Sequence, residues 1–181
     1  MSGTLSLILG GIKSGKSRQA LELARERGAG RPIGFIATAE AFDEEMKSRI
    51  QKHREEREPL FFTIEEPLHL SRALLAGWEK SSCLVVDCLT LWVNNLLFHL
   101  EADPQKIRDE IKAFFEIAAR KKGDLILVSN EVGSGLVPGN ALTRRYMDEL
   151  GNLNQAMARL SDEVIVMTAG IPQRLKGSVH V

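Results

Sequence analysis

Short apolar runs alternate with helix-compatible stretches along the chain. Residues 5–9, 33–37, 83–87, 125–129 and 164–167 are runs of four or five mostly apolar residues bounded by Gly, Pro, Asn or Asp, as strands covered on both faces would be. Residues 61–65 admit one more short strand. Between these runs the period changes to that of a helix. Residues 17–27 place Ala20, Leu21 and Ala24 on one side, and 67–80 place Leu70, Leu74 and Leu75 inward. Residues 89–100 are apolar nearly all round, with Trp92, Leu96 and Leu97 as anchors. Residues 104–118 carry Ile107, Ile111, Phe114, Phe115 and Ala118 at spacings of three and four, and 141–161 form a long amphipathic helix. The tail from Gly170 to His180 predicts a hairpin or an edge strand. Strands alternating with helices imply an α/β fold with a mostly parallel, doubly wound sheet, whose ligands bind at the carboxyl ends of the strands. Gly10, Thr38, Asp87 and Asn130 converge at that edge.

Composition narrows the picture. The 181 residues suit one domain spanning 1–181, and the balance of 24 Lys plus Arg against 24 Asp plus Glu provides no basic field for nucleic acid. Cys83 and Cys88 are the only cysteines; without Cys-x-x-Cys spacing they argue against zinc and for buried, reduced thiols. No apolar run approaches the roughly 20 residues of a membrane span, and residues 1–4 lack a charged leader, so a soluble cytoplasmic protein is expected.

The chemistry begins at Gly10-Gly11-Ile12-Lys13-Ser14-Gly15-Lys16-Ser17, which follows a strand and opens a helix. This is the spacing of a phosphate loop: glycines let the backbone turn, successive N–H groups point at a triphosphate, Lys16 reaches the β- and γ-phosphates, and Ser17 holds Mg²⁺. A glycine-rich turn without a ligand is the bland alternative. Asp87, closing an apolar strand, stands where the second acid of such proteins binds Mg²⁺, although a strand-end aspartate can also cap the next helix. Residues 40–59 are strongly charged and predict a solvent-rimmed helix on which Arg49, His53 and Arg57 share one face at about 6 Å per step. The flanking arginines favour a neutral, nucleophilic imidazole and can neutralise a phosphate, while an inert surface histidine is the competing reading. His69, His99 and His180 lack such neighbours and read as surface or packing residues. The loop from Asn130 to Gly139 brings a strand-end amide and acid together with small residues.

Taken together, these residues resemble the bifunctional adenosylcobinamide kinase/adenosylcobinamide-phosphate guanylyltransferases of cobalamin biosynthesis. The resemblance rests on the phosphate loop through Arg18, Ile36-Ala37-Thr38-Ala39, Arg49-Ile50-x-x-His53-Arg54-x-x-Arg57, and Asp87-Cys88-Leu89-Thr90 with Asn94-Asn95-Leu96. It continues through Asn130-Glu131-Val132-Gly133-x-Gly135-x-Val137-Pro138 and Arg144-x-Tyr146-x-Asp148-x-x-Gly151-x-x-Asn154-Gln155, spanning nearly the whole chain. Lys13 replaces the usual arginine and keeps its charge, and a second histidine beside His53 is missing. The resemblance implies a recombinase-type phosphate-loop NTPase core and a homotrimer. It implies phosphorylation of adenosylcobinamide by ATP or GTP, then transfer of GMP from GTP to adenosylcobinamide phosphate through a guanylyl-histidine at His53. Lys16 joins His53 in catalysis, and Ser17 and Asp87 hold Mg²⁺. Nucleotide binding carries over to Gly10, Gly11, Ile12, Lys13, Ser14, Gly15, Lys16 and Ser17, to Ala37, Thr38 and Ala39, to Arg54, Glu55, Glu56 and Arg57, and to Glu65 and Asp87. The apolar region around Trp92 and Leu97 and the carboxyl-terminal tail are the candidate subunit contacts. Two other readings stay open: a small-molecule kinase without a covalent histidine, and a nucleotide-dependent switch, which lacks the Asn-Lys-x-Asp signature it would need.

Overall fold

The computed structural model describes residues 3–40, 60–133, 135 and 137–177. The charged stretch with Arg49, His53, Arg54, Glu55, Glu56 and Arg57 lies outside the described residues, as does His180.

Seven strands form one sheet: β1 (Leu5–Gly10), β2 (Ile33–Ala37), β3 (Phe61–Glu65), β4 (Cys83–Asp87), β5 (Asp124–Val128), β6 (Glu163–Thr168) and β7 (Ile171–Lys176), in the order β3-β2-β4-β5-β1-β6-β7. Every neighbouring pair is parallel except β6 and β7. The helices are α1 (Lys16–Gly28), α2 (Leu70–Trp78), α3 (Leu89–His99), α4 (Pro104–Ala118) and α5 (Ala141–Leu160). The short apolar runs are strands because both sheet faces are covered. Leu5, Leu7 and Leu9 of β1 enter one core with Leu84, Val86, Leu125 and Leu127, whereas Ile8 enters the other with Val85, Ile126 and Val128. Helices α2 to α5 cover the first face, and among the described residues Ala20 and Ala24 of α1 contribute to the second.

Local chemistry sets the helix ends. The Asp103 carboxylate accepts from the Gln105 and Lys106 N–H groups ahead of Pro104, and the Asn140 carboxamide does the same for Leu142 and Thr143. Ala169 and Gly170 both take positive φ (51° and 83°), the conformation of a two-residue hairpin turn whose twist matches the strands. Hairpin and edge strand are thus both present, with β7 the outer strand.

One expectation is overturned. The stretch proposed as a subunit contact is core: Trp92 and Leu96 are fully buried, the Trp92 ring lies 5.0 Å from that of Phe114, and its Nε1 donates to the Leu68 carbonyl at 2.7 Å. The face of this helix that carries Trp92, Val93, Leu96 and Leu97 is covered by its own chain. His69 and His99 also have partners, with Nδ1 of His69 at 2.9 Å from Glu110 and Nε2 of His99 at 2.7 Å from Glu40.

At the far end of β1 from the glycines, a polar knot ties four elements. The Glu163 carboxylate accepts from Ser6 Oγ at 2.5 Å and Arg27 Nη2 at 2.7 Å, and also pairs with Arg174. Because removing the shared acceptor leaves the buried Ser6 hydroxyl and the largely buried Arg27 guanidinium without it, Glu163→Ala is expected to lower unfolding stability by about 3–5 kcal/mol. Glu22→Ala, which breaks the exposed Arg18 pair at 3.9 Å, should cost about 0.5 kcal/mol or less. Urea melts of both variants test the contrast.

Candidate functional site

The phosphate loop grows out of β1 at Gly10 and ends at Gly15, where φ of 96° turns the chain into α1. Gly10 has no room for a side chain, since a Cβ there would lie 2.5 Å from the Met167 carbonyl oxygen and 2.7 Å from Ser14 Oγ. Two outside strands hold the loop in place. Gly170 N–H in the β6–β7 turn donates to the Ser14 carbonyl at 3.0 Å, and Glu131 N–H beyond β5 donates to the Gly10 carbonyl at 3.1 Å. Inside it, Lys16 Nζ folds back onto the Gly11 carbonyl at 2.6 Å. The Ser14 hydroxyl is buried with no hydrogen-bond partner among the described residues. A cleft of about 590 Å³ opens against the loop and the outer side of α1, lined by residues from Lys13 to Arg18 with Leu21 and Arg25.

Strand order decides what faces the loop. Strand β5 lies between β1 and β4, so Asp87 at the end of β4 stands two strands from the β1 end that carries the loop. Burial lowers the Lys16 pKa, while Cys88 and Asp87 act the other way. Burial pushes the Cys88 thiol up to about 12, so at neutral pH it is uncharged. Asn130 follows β5 and stands between the two. Its N–H donates to Thr90 Oγ1 at 2.7 Å and its carbonyl accepts from Asn154 Nδ2 at 3.0 Å. Thr90 and Asn154 are positioning residues to which the sequence assigned no role, although both lie inside motifs that it singled out.

Among the described residues, the predicted nucleotide residues fall into two groups. Gly10 through Ser17 and Asp87 assemble at one place. Ala37, Thr38 and Ala39 follow β2, which is three strands from β1, and Glu65 ends β3, which is four; at about 4.8 Å per strand these are roughly 14 and 19 Å away. Thr38 is fully buried, and its hydroxyl is spent on Cys88: it donates to the Cys88 carbonyl at 2.8 Å and accepts from the Cys88 N–H at 2.8 Å. Asn95 Nδ2 completes this clasp by donating to the Thr38 carbonyl at 2.8 Å. Thr38 therefore fixes the turn after Asp87, its main-chain N–H also donating to the Asp87 carbonyl at 3.2 Å. Glu65 is exposed at the sheet edge.

Comparison with known proteins places this architecture among relatives. A family model described as "Cobinamide kinase / cobinamide phosphate guanyltransferase" matches residues 6–175. The chain is 49% identical over 171 residues to the bifunctional adenosylcobalamin biosynthesis protein CobP of Pseudomonas aeruginosa, covering 94% of this chain and 96% of the relative. It is 36% identical over 181 residues to the corresponding CobU of Salmonella typhimurium, covering 94% and 98%. Among solved structures it is similar to a KaiC-like protein from Pyrococcus horikoshii (TM-score 0.55, 19% identity, 91% of this chain and 71% of that one). It is also similar to the flagellar accessory protein FlaH from Methanocaldococcus jannaschii (TM-score 0.53, 15% identity, 98% and 80%). These last two likenesses concern the fold alone.

The buried lysine yields a pH prediction. Its ammonium, not its amine, attracts a triphosphate, so affinity is full below the lowered Lys16 pKa and falls as pH rises through it. Calorimetric titration of GTP between about pH 7 and 10 should show this fall in the wild type, whereas Lys16→Met should bind weakly at every pH. A wild-type affinity flat across the range would contradict it.

Proposed function

The chain belongs to the cobinamide kinase/cobinamide phosphate guanyltransferase family, and from that premise we propose that it phosphorylates adenosylcobinamide and then transfers GMP from GTP to adenosylcobinamide phosphate. The observation that carries the reading is a phosphate loop with Lys16 folded inward and Asp87 two strands away across β5, in a chain matched by this family over nearly its whole length.

In the kinase step the loop N–H groups and the Lys16 ammonium hold the β- and γ-phosphates of ATP or GTP. Leaving the Gly11 carbonyl for the phosphates, Lys16 meets the charge that spreads over the γ-phosphoryl oxygens as the acceptor hydroxyl attacks. Ser17 and Asp87 offer a hydroxyl and a carboxylate, the hard oxygen donors that suit Mg²⁺, and Asp87 already lies close enough to Lys16 to oppose its loss of charge. Bound there, Mg²⁺ would neutralise phosphate charge. The main chain of Asn130, fixed on both sides, holds its carboxamide at the edge between them.

In the guanylyl step an imidazole nitrogen of His53 attacks the α-phosphorus of GTP. A phosphorus–nitrogen bond forms, the bond to the β-phosphate oxygen breaks, and pyrophosphate leaves. A phosphate oxygen of adenosylcobinamide phosphate then attacks the same phosphorus, forming adenosylcobinamide-GDP and returning the imidazole. Arg54 and Arg57 carry the positive charge this exchange calls for, with Ala37, Thr38, Ala39 and Glu65 toward the nucleoside end, 14–19 Å being roughly the reach from the loop across an extended nucleotide. The homotrimer and the cytoplasmic location belong to the same reading, supported by the family and by the lack of a helix among the described residues long and apolar enough to cross a membrane.

The two half-reactions separate by mutation. His53→Ala is expected to abolish pyrophosphate release from GTP, by about a thousandfold or more, while still transferring the γ-phosphate to adenosylcobinamide. Lys16→Ala should depress both. Guanylyl transfer surviving in His53→Ala would remove the covalent histidine.

A further inference from the structure

Where the carboxyl end of α3 meets the first turn of α5, a cleft of about 490 Å³ lies open, within the range of small-molecule sites. Leu97, Phe98, Ala102, Leu142 and Tyr146 form its apolar walls, with Asn94, Glu101 and Thr143 at its polar positions. Phe98 is 68% and Leu142 56% exposed, so two large apolar side chains flank the hollow with much of their surface accessible.

Its floor is held under strain. Glu101 and Ala102 adopt successive left-handed conformations, with φ of 51° and 54°, which residues bearing a Cβ rarely take. The Ala102 N–H bonded to the Leu97 carbonyl at 2.9 Å, and the Arg145 guanidinium from α5 donating to the Ala102 carbonyl, keep the turn in that shape.

The cleft also connects to the phosphate site. Tyr146, whose hydroxyl burial pushes up to about 12, donates to the Thr90 carbonyl at 3.4 Å, and Thr90 Oγ1 accepts from Asn130 N–H at 2.7 Å. Helix α3 starts two residues after Asp87 and its last turn lines the cleft, so one rigid rod of 11 residues, about 16 Å, spans the two places.

Charge shows which substrate fits. Among the described residues that line the cleft, none is a lysine or arginine and Glu101 is acidic, which disfavours nucleotide phosphates. A corrin is a monoanionic ligand, so an adenosyl-cobalt(III) corrinoid without its nucleotide carries net positive charge, on a broad apolar ring rimmed by neutral carboxamides. We propose that this cleft seats the corrin ring of the substrate, with the ring against Phe98 and Leu142 and its amides and charge toward Asn94, Thr143 and Glu101. The acceptor hydroxyl, on a side arm, then reaches along α3 to the phosphate loop. The inference rests on the cobinamide reading above.

Equilibrium dialysis of adenosylcobinamide, followed by its visible absorbance, tests it on full-length wild type, Phe98→Ala/Leu142→Ser and Glu101→Lys, alongside GTP titration and sedimentation mass. The expected result is an increase in corrinoid Kd of about tenfold or more in both variants, with GTP affinity and mass unchanged. Corrinoid binding within about twofold of wild type would overturn the assignment, and a lower mass with unaltered corrinoid binding would do so by making the cleft a contact between copies of the chain. A wild type that binds no corrinoid sinks the cobinamide reading itself. A wild type that binds it while the variants bind equally well sinks this inference alone.

Discussion

An ammonium group buried in a loop of main-chain dipoles is the interaction on which the rest of the molecule turns. Lys16 sits where burial opposes its charge, and Gly11 offers a carbonyl at 2.6 Å that satisfies it without removing it. A triphosphate would supply more negative charge than a carbonyl, so exchanging one partner for the other is downhill and leaves the loop's shape unchanged. That shape is not the loop's own property. It comes from the β6–β7 turn bonded to Ser14 on one side and the strand end beyond β5 bonded to Gly10 on the other. The hairpin formed by β6 and β7 therefore holds the loop in shape, although none of its residues belongs to the phosphate-loop motif.

The order of strands distributes function along one edge. With β5 inserted between β1 and β4, the loop and Asp87 stand two strands apart, and Asn130 after β5 lies between them. Further along the edge, the ends of β2 and β3 lie too far away to touch the same phosphates. Helix α3 links these regions. Its first turn follows Asp87, Asn95 in its middle holds Thr38, and its final turn shapes the α3–α5 cleft.

Much of the fold was legible because it is local. Alternation of apolar runs and helical periods gave the parallel sheet, and the glycine spacing gave the loop, since both depend on residues close together in the chain. What failed to show depends on partners far apart. Thr38 has the look of a ligand-facing hydroxyl at a strand end, yet it is consumed by Cys88, 50 residues on. The Trp92 stretch reads equally well as a sticky surface or as core, and only the arrival of Leu68 and Phe114 decides for core. The knot around Glu163 was invisible for the same reason, since Ser6, Arg27 and Arg174 come from three separate elements. In the candidate site, the loop and Asp87 were readable from the sequence, whereas the contributions of Gly170, Thr90 and Asn154 required the tertiary structure.

Intact mass after mixing the protein with GTP and Mg²⁺, before and after addition of adenosylcobinamide phosphate, tests the central claim that one phosphate-loop protein carries a guanylyl group between two phosphates. The account predicts a gain of one guanylyl group per chain that disappears when the corrinoid is added. A mass that never changes, or an adduct that the corrinoid fails to discharge, would contradict it.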